Sequence, residues 1–176
     1  MTLRVPTAAN IFSAQQERAL GDIEAELVEN NYRAAHDDGQ ALVHVILIDT
    51  PETQSFPVAP ERIYITQKMA ALLRNDGELA GLLGHELGHI LAHQNAIIVS
   101  QLFHEILGGN VVSGRKDVSG ELTRMFSSID RDTKLSRKAA SIIDRQEGIH
   151  QIQADCVALY ASAAAGSSPQ GLCGTF

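Results

Sequence analysis

Three residues near the middle of the chain have the types and spacing of a metal site: His85, Glu86 and His89, in the segment His-Glu-Leu-Gly-His. Residues four apart on a helix lie on the same face, so the two histidines can present imidazole nitrogens to one ion. Zinc binds such nitrogens at about 2.0–2.1 Å and keeps a position open for water in catalytic sites. Glu86 lies about 100° round the helix from His85. The pattern therefore predicts zinc held by His85 and His89, with Glu86 as general base.

The reaction that this arrangement favours is peptide hydrolysis. Zinc lowers the pKa of a bound water toward about 7, and Glu86 takes its proton during attack on the peptide carbonyl and returns it to the leaving amine. The five-residue pattern arises by chance in about one of a hundred such sequences, so its context matters. Asn75 can cap the helix, with Glu78 three residues later. Gly84 and Gly88 leave one side of that helix open to close approach by another element.

Four other histidines are given no ligand role. His93 lies one turn after His89 near the same face, and we expect it to be solvent-exposed or to support the site rather than to bind the ion. The other three, which lie outside the motif, are His36, His44 and His104.

Hydrophobic periodicity predicts a mainly helical α+β domain with a small sheet beside the helix of residues 85–89. The predicted helices are residues 13–32 with Ser13 as cap, 75–107 with a break near Asn95, and 135–165 ending at Gly166. The predicted strands are 41–49 and 62–66, joined through Pro51, Pro57 and Pro60. Residues 108–120 are rich in glycine, serine and charge, so we expect a loop or a mobile flap there.

Length and composition fit one soluble domain over residues 1–176. The formal net charge of −7 and the lack of a basic stripe argue against nucleic acid as a partner. No apolar run approaches the roughly 18 residues needed to cross a bilayer. Met1 to Asn10 does not have the features of a signal peptide. The chain stops soon after a Ser-Ser-Pro turn, which leads us to expect missing sequence at the C-terminus.

The chain resembles the HtpX and CAAX prenyl protease family of gluzincin zinc metallopeptidases, in its soluble bacterial branch. The matching parts are the helix 13–32, the strand 43–49, the turn 55–58, the strand 62–66, the segment 78–89 and the pair Ala154-Asp155. The resemblance implies a zincin-like fold, a third zinc ligand three residues before the Ala-Asp pair, and a periplasmic or other extracytoplasmic location. It also implies that Asp155 supports the metal site from behind its ligands, and we count Asp155 with Glu86 as catalytic.

The implied third-ligand position holds Gln151, where the family has glutamate. A glutamine offers a neutral carbonyl oxygen and is an uncommon zinc ligand. Three explanations stay open. The glutamine is an engineered change, it is a natural feature of a weakened or inactive relative, or Glu147 or His150 serves as the third ligand in its place. Glu147 lies some 5.4 Å along the axis and His150 points about 100° away, so neither replaces Gln151 without a helix shift. We expect a disabled site with Gln151 at or near the third position.

An extended substrate is expected along an edge strand beside the metal, through main-chain hydrogen bonds. The strand 62–66 or its neighbour is the candidate, which makes Ile63, Tyr64 and Ile65 the expected substrate-binding residues. The leading function is therefore a zinc metalloendopeptidase acting on unfolded or membrane-associated protein. The alternative is a non-catalytic peptide-binding or chaperone-like module without a competent metal site, which Gln151 favours.

Overall fold

A computed structural model describes residues 10–35, 43–58, 60–107 and 118–166 of the chain. The described part is mainly helical with one small sheet, which confirms the predicted α+β class. Its helices are α1 (Ala14–Asn31), α2 (Gln67–Leu72), α3 (Asp76–Leu91), α4 (Gln94–Leu107), α5 (Ser119–Arg131) and α6 (Thr133–Ala164). Its strands are β1 (Arg33–Ala35), β2 (His44–Asp49), β3 (Ser55–Val58) and β4 (Arg62–Thr66).

The sheet has the strand order β1-β2-β4-β3, with β2 and β4 parallel and the outer pairs antiparallel. The predicted strands 41–49 and 62–66 correspond to β2 and β4. Residues 55–58, interpreted as a turn, are instead the edge strand β3. Phe56 stacks on Tyr64 with ring centroids 5.5 Å apart, and Val58 is buried, so apolar packing against β4 outweighs the prolines of this segment.

Both predicted helix caps are present. The Ser13 side chain accepts a hydrogen bond from the Gln16 amide, and the Gln16 side chain accepts one from the Ser13 amide, which forms a complete capping box for α1. The Asn75 side chain accepts from the Glu78 amide at 3.0 Å and begins α3. The Glu78 carboxylate accepts from the Arg74 amide and guanidinium instead of closing a second box.

The break expected near Asn95 lies at Ala92 and His93, between α3 and α4. His93 has φ of 53°, the left-handed conformation that ends a helix and that histidine adopts more readily than most residues. Its ring bonds the Glu17 carboxylate of α1 at 2.8 Å and is mostly exposed. The break therefore turns His93 toward α1 and begins α4 in a new direction.

Helix α6 packs closely against α3 along Gly84 and Gly88. A Cβ atom on Gly88 would lie 2.6 Å from the Ala154 Cα atom, and one on Gly84 would lie 3.0 Å from the Ala158 Cα atom. Only glycine permits this approach, as the sequence predicted for this side of the helix. Helix α6 ends at Ala164, with Gly166 at φ of 74°, close to the predicted end.

Two helices were not predicted. Helix α2 is short, and α5 starts at Ser119, so the loop expected over 108–120 ends by that residue. Residues 108–117 lie outside the described residues. Leu122 and Met125 of α5 are fully buried three residues apart, which is helical spacing that the charged residues around them obscure. None of the described helices has the length and hydropathy needed to span a membrane.

Candidate metal centre and catalytic cleft

The two motif histidines face each other across one turn of α3. The Nε2 atom of His85 lies 3.0 Å from the Nε2 atom of His89, and the rings meet edge to face. His85 is buried and His89 is half-buried. Both rings therefore direct their Nε2 atoms toward the same point.

The outer nitrogen of each ring is held by an oxygen acceptor. His85 Nδ1 lies 2.9 Å from the Asp155 carboxylate of α6, and His89 Nδ1 forms a short hydrogen bond with the Gln94 carboxamide oxygen. The Gln94 amide nitrogen donates to the His150 carbonyl oxygen at 3.2 Å and to the Gln153 side-chain oxygen at 3.0 Å. Because a carbonyl can only accept, these bonds orient the Gln94 amide with its oxygen toward His89.

The facing nitrogens fit a metal ion. With both Nδ1 atoms donating, each Nε2 atom carries a lone pair, and two lone pairs this close repel unless a proton or a metal ion lies between them. Burial lowers the pKa of His89, although the hydrogen bond that its Nδ1 donates to Gln94 raises it, and burial so disfavours the proton. With zinc–nitrogen bonds of about 2.0–2.1 Å, nitrogens at this separation subtend roughly 95° at the ion, which two ligands of one zinc can adopt.

Glu86 lines the same cleft as His85 and His89. It is buried, and the hydroxyl of Ser55 on β3 donates to one of its oxygens at 2.5 Å. Burial raises the pKa of Glu86, while the bond from Ser55 and the nearby His89 lower it. A carboxylate whose pKa lies closer to neutrality is better matched to general-base work than an exposed one.

Helix α6 completes a cleft of about 750 Å³ over the motif. Four residues of α6 line this cleft together with the motif residues, namely Ile143, Glu147, His150 and Gln151. The structure therefore brings Gln151 and Asp155 to the histidines. His150 had been expected to point away, but it is buried at the cleft wall, where burial and the neighbouring His89 lower its pKa.

Among the residues that the structure describes, no histidine or carboxylate is placed as a third ligand. Within the described ranges, no group of three or more His, Cys, Asp or Glu side chains is placed to hold a metal ion. Neither Glu147 nor His150 therefore joins the two histidines in this arrangement. The half-buried Gln151 keeps the third-ligand role as a prediction, with a neutral donor.

The prediction that the strand 62–66 is an edge strand open to substrate is wrong. Strand β4 pairs with β2 on one side and with β3 on the other, and Ile63, Tyr64 and Ile65 are at most 2% exposed. The Tyr64 hydroxyl donates to the Glu29 carboxylate of α1 at 2.7 Å, which fixes the ring in the core. Strand β3, which pairs with β4, is the edge strand, and its residues 55–57 line the cleft.

Two residues of the site have no signature in the sequence. Gln94 follows His89 by five positions, which on a continuous helix would place it about 140° away. The helix break at His93 brings the Gln94 side chain back to the ring of His89. Ser55 precedes Glu86 by 31 positions, and only the packing of β3 against α3 brings the two together.

A protein-family model described as peptidase family M48 matches residues 15–173. The matched range includes the motif helix, Gln94, β3 and the part of α6 that carries Gln151 and Asp155. A search among curated proteins finds no match.

Proposed function

This chain belongs to peptidase family M48, and we propose that it is a zinc-dependent endopeptidase that cleaves peptide bonds within protein substrates. The observation that carries the proposal is the pair of His85 and His89 Nε2 atoms, 3.0 Å apart, with their outer nitrogens held by Asp155 and Gln94. A core histidine pair without a metal would gain nothing from this orientation.

The side chains of the cleft divide the work of hydrolysis. His85 and His89 would hold zinc, with Gln151 as a neutral third donor. When bound, zinc would polarise the carbonyl of the substrate and lower the pKa of a water molecule. Glu86 accepts the proton of the attacking water and returns it to the leaving amine. Ser55 holds the carboxylate of Glu86 by its hydroxyl, so that the group faces the cleft rather than turning back toward the core.

The substrate is proposed to be an extended segment of unfolded protein. Strand β3 presents an unpaired edge beside the motif helix, in the part of the chain that the structure describes, and an extended peptide can add to such an edge by main-chain hydrogen bonds. Pro57 lacks an amide hydrogen, which limits the number of such bonds. Placement in the HtpX and CAAX prenyl protease branch, and an extracytoplasmic location, are parts of this proposal.

A second candidate function is a peptide-binding module that keeps the cleft and β3 but holds no metal. Gln151 favours it, because a neutral oxygen contributes less Coulomb attraction to a dication than the carboxylate that the family resemblance implies. This module would bind unfolded chains along β3 without cleaving them.

Zinc analysis combined with a cleavage assay separates the two functions. For the enzyme, protein purified without chelator should hold zinc in an amount close to one per chain and should cleave casein. The His85→Ala variant should lose both properties, whereas Glu86→Gln should keep zinc and lose cleavage. Metal-free wild-type protein that still binds casein would overturn the enzyme and establish the binding module.

A further inference from the structure

The cleft over the motif has an acidic lining. Glu86 and Glu147 line it, together with three histidines, and no lysine or arginine among the described residues does so. The Glu86 carboxylate accepts a hydrogen bond from the hydroxyl of Ser55. Glu147, on α6, is exposed and forms no hydrogen bond or ion pair with any described residue. Its carboxylate is therefore available to a group that enters the cleft from outside.

Glu147 adjoins an apolar surface of the same cleft. Ile143 precedes it by four positions, so the two side chains lie on the same face of α6. Ile143 is 43% exposed, and the partly buried Ile98 of α4 lines the cleft with it. A peptide in the cleft therefore meets exposed carbon surface beside an unpaired carboxylate.

Lysine and arginine side chains have the chemistry that matches both features. Each has an aliphatic stem that can cover an apolar surface and a charged end that a carboxylate binds. A purely apolar side chain would cover the isoleucines but leave the carboxylate of Glu147 without a partner, and an acidic side chain would be repelled by it. The lining therefore favours a basic residue in the bound peptide.

The place of Glu147 on α6 indicates where that basic residue lies in the peptide. Gln151, at the implied third-ligand position, follows Glu147 by about one turn of helix, some 5.4 Å along the axis. An extended peptide advances about 3.3 Å per residue, so the basic residue is expected within about three residues of the cleaved bond. Glu147 does not form a ligand group with His85 and His89, which leaves its charge available to the substrate.

We propose that Glu147 is a specificity-determining residue of this cleft and selects protein segments with a lysine or arginine near the bond to be cleaved. The proposal rests on the proposed function in one respect, that the peptide binds in this cleft. It narrows the substrate from unfolded protein in general to basic segments of it.

Mass spectrometry of casein digests tests the preference. In the wild-type digest, lysine and arginine should be enriched at one position within about three residues of the cleaved bonds. Glu147→Gln keeps the size of the side chain and should lose this enrichment, and Glu147→Lys should replace it with aspartate and glutamate. Glu26→Gln is the matched control, because it removes an exposed carboxylate of α1 that does not line the cleft, and it should keep the wild-type pattern.

A pair of labelled peptides measures the size of the preference: a lysine-containing casein segment, and the same segment with norleucine for each lysine. The wild type should favour the lysine peptide by about five-fold in kcat/KM, as for an ion pair near the surface. The ratio should fall toward one in Glu147→Gln and at about 0.5 M salt. Each variant is compared with itself, so a variant that folds in low yield still gives the ratio. For a protein that binds casein without cleaving it, fluorescence anisotropy gives the same ratio in Kd.

Failure of this proposal is distinguishable from failure of the proposed function. A wild type that cleaves or binds casein but treats both peptides alike, or a Glu147→Gln variant that keeps the preference, overturns the role of Glu147 and leaves the function intact. A protein that neither cleaves nor binds casein overturns both. The zinc content of Glu147→Gln should equal that of the wild type, and loss of zinc would assign Glu147 to the ion and overturn the proposal.

Discussion

At the residue scale, the chemistry of the site depends on what holds the outer nitrogens of two histidines. Asp155 holds His85 with a carboxylate, and Gln94 holds His89 with an amide oxygen. When Nδ1 of each ring donates to its acceptor, the Nε2 lone pairs of the neutral rings face each other, and these bonds set the planes of the rings. Metal affinity should therefore respond to residues that never contact the ion.

Gln94→Leu should lower zinc affinity by about 10 to 100-fold, because the leucine cannot accept the Nδ1 hydrogen of His89 and leaves the ring free to rotate. Competition with a chromophoric chelator measures the change. Gln153→Leu is the matched control: it removes only one acceptor of the Gln94 amide, at 3.0 Å, and should have a smaller effect. Equal affinities for the Gln94→Leu variant and the wild type would contradict this role.

Gln151→Glu should raise zinc affinity by at least about 10 to 100-fold, because it supplies an anionic oxygen to the ion without a change in side-chain length. Chelator competition again gives the affinity, and casein cleavage gives the activity. Cleavage should increase only with Glu86 intact, since hydrolysis needs its proton acceptor.

The double variant Gln151→Glu, Glu86→Gln is the control for this experiment. A Gln151→Glu protein that binds zinc tightly yet cleaves casein no faster than the double variant would end the enzyme proposal and leave the binding module in its place.

At the scale of the elements, the site depends on how closely α6 approaches α3. Gly88 lies against the backbone of Ala154, one residue before Asp155. Separation of the two helices by the width of a methyl group would therefore also draw Asp155 away from His85. Packing and metal support are combined at one contact.

Gly88→Ala should destabilise the fold by about 1–3 kcal/mol, because its Cβ atom would lie 2.6 Å from backbone that cannot move without shifting α6. The free energy of unfolding in urea is the measurement. Gly148→Ala is the matched control, since a Cβ atom there meets nothing within 4 Å, and it should stabilise the helix by up to about 1 kcal/mol. A Gly88→Ala protein as stable as the wild type would contradict the close packing.

At the scale of the whole molecule, α1 ties the motif region to the rest of the fold through acidic side chains. Glu17 bonds His93, Glu29 bonds the Tyr64 hydroxyl, and Glu24 accepts from the Asn95 amide at 2.6 Å. Burial raises the pKa of Glu24 to about 7, although the bond from Asn95 lowers it. Asn95 also lines the cleft, so this carboxyl group lies directly behind the site.

The raised pKa of Glu24 should make the fold less stable as the pH rises from about 4.5 to about 7. In that window the native state keeps a proton that the unfolded chain releases, so each increase in pH favours unfolding. Glu24→Gln, which cannot titrate, should remove up to about 3 kcal/mol of this pH dependence. Urea unfolding of both proteins at pH 5 and pH 8 gives the comparison, and parallel pH dependences would contradict it. Glu86 is present in both proteins, so its own titration cancels.

The sequence by itself determined the local features of this protein. The i, i+4 spacing of His85 and His89, the caps at Ser13 and Asn75 and the break before α4 depend on backbone hydrogen bonds between near neighbours, which residue types along the chain report directly. The sequence also predicted that another element packs closely against Gly84 and Gly88. Glycine destabilises a helix, so two glycines on one side of an apolar helix indicate a close approach.

Only the tertiary structure decided which distant residues meet those features. It made β3 the sheet edge and β4 its interior, brought the hydroxyl of Ser55 to Glu86, and turned Gln94 back to His89. These contacts join residues on different elements, or on either side of a helix break, and depend on how apolar faces pack rather than on any periodicity. The pairing of β4 on both sides follows from the path of the whole chain, which the alternation of residues within one strand does not encode.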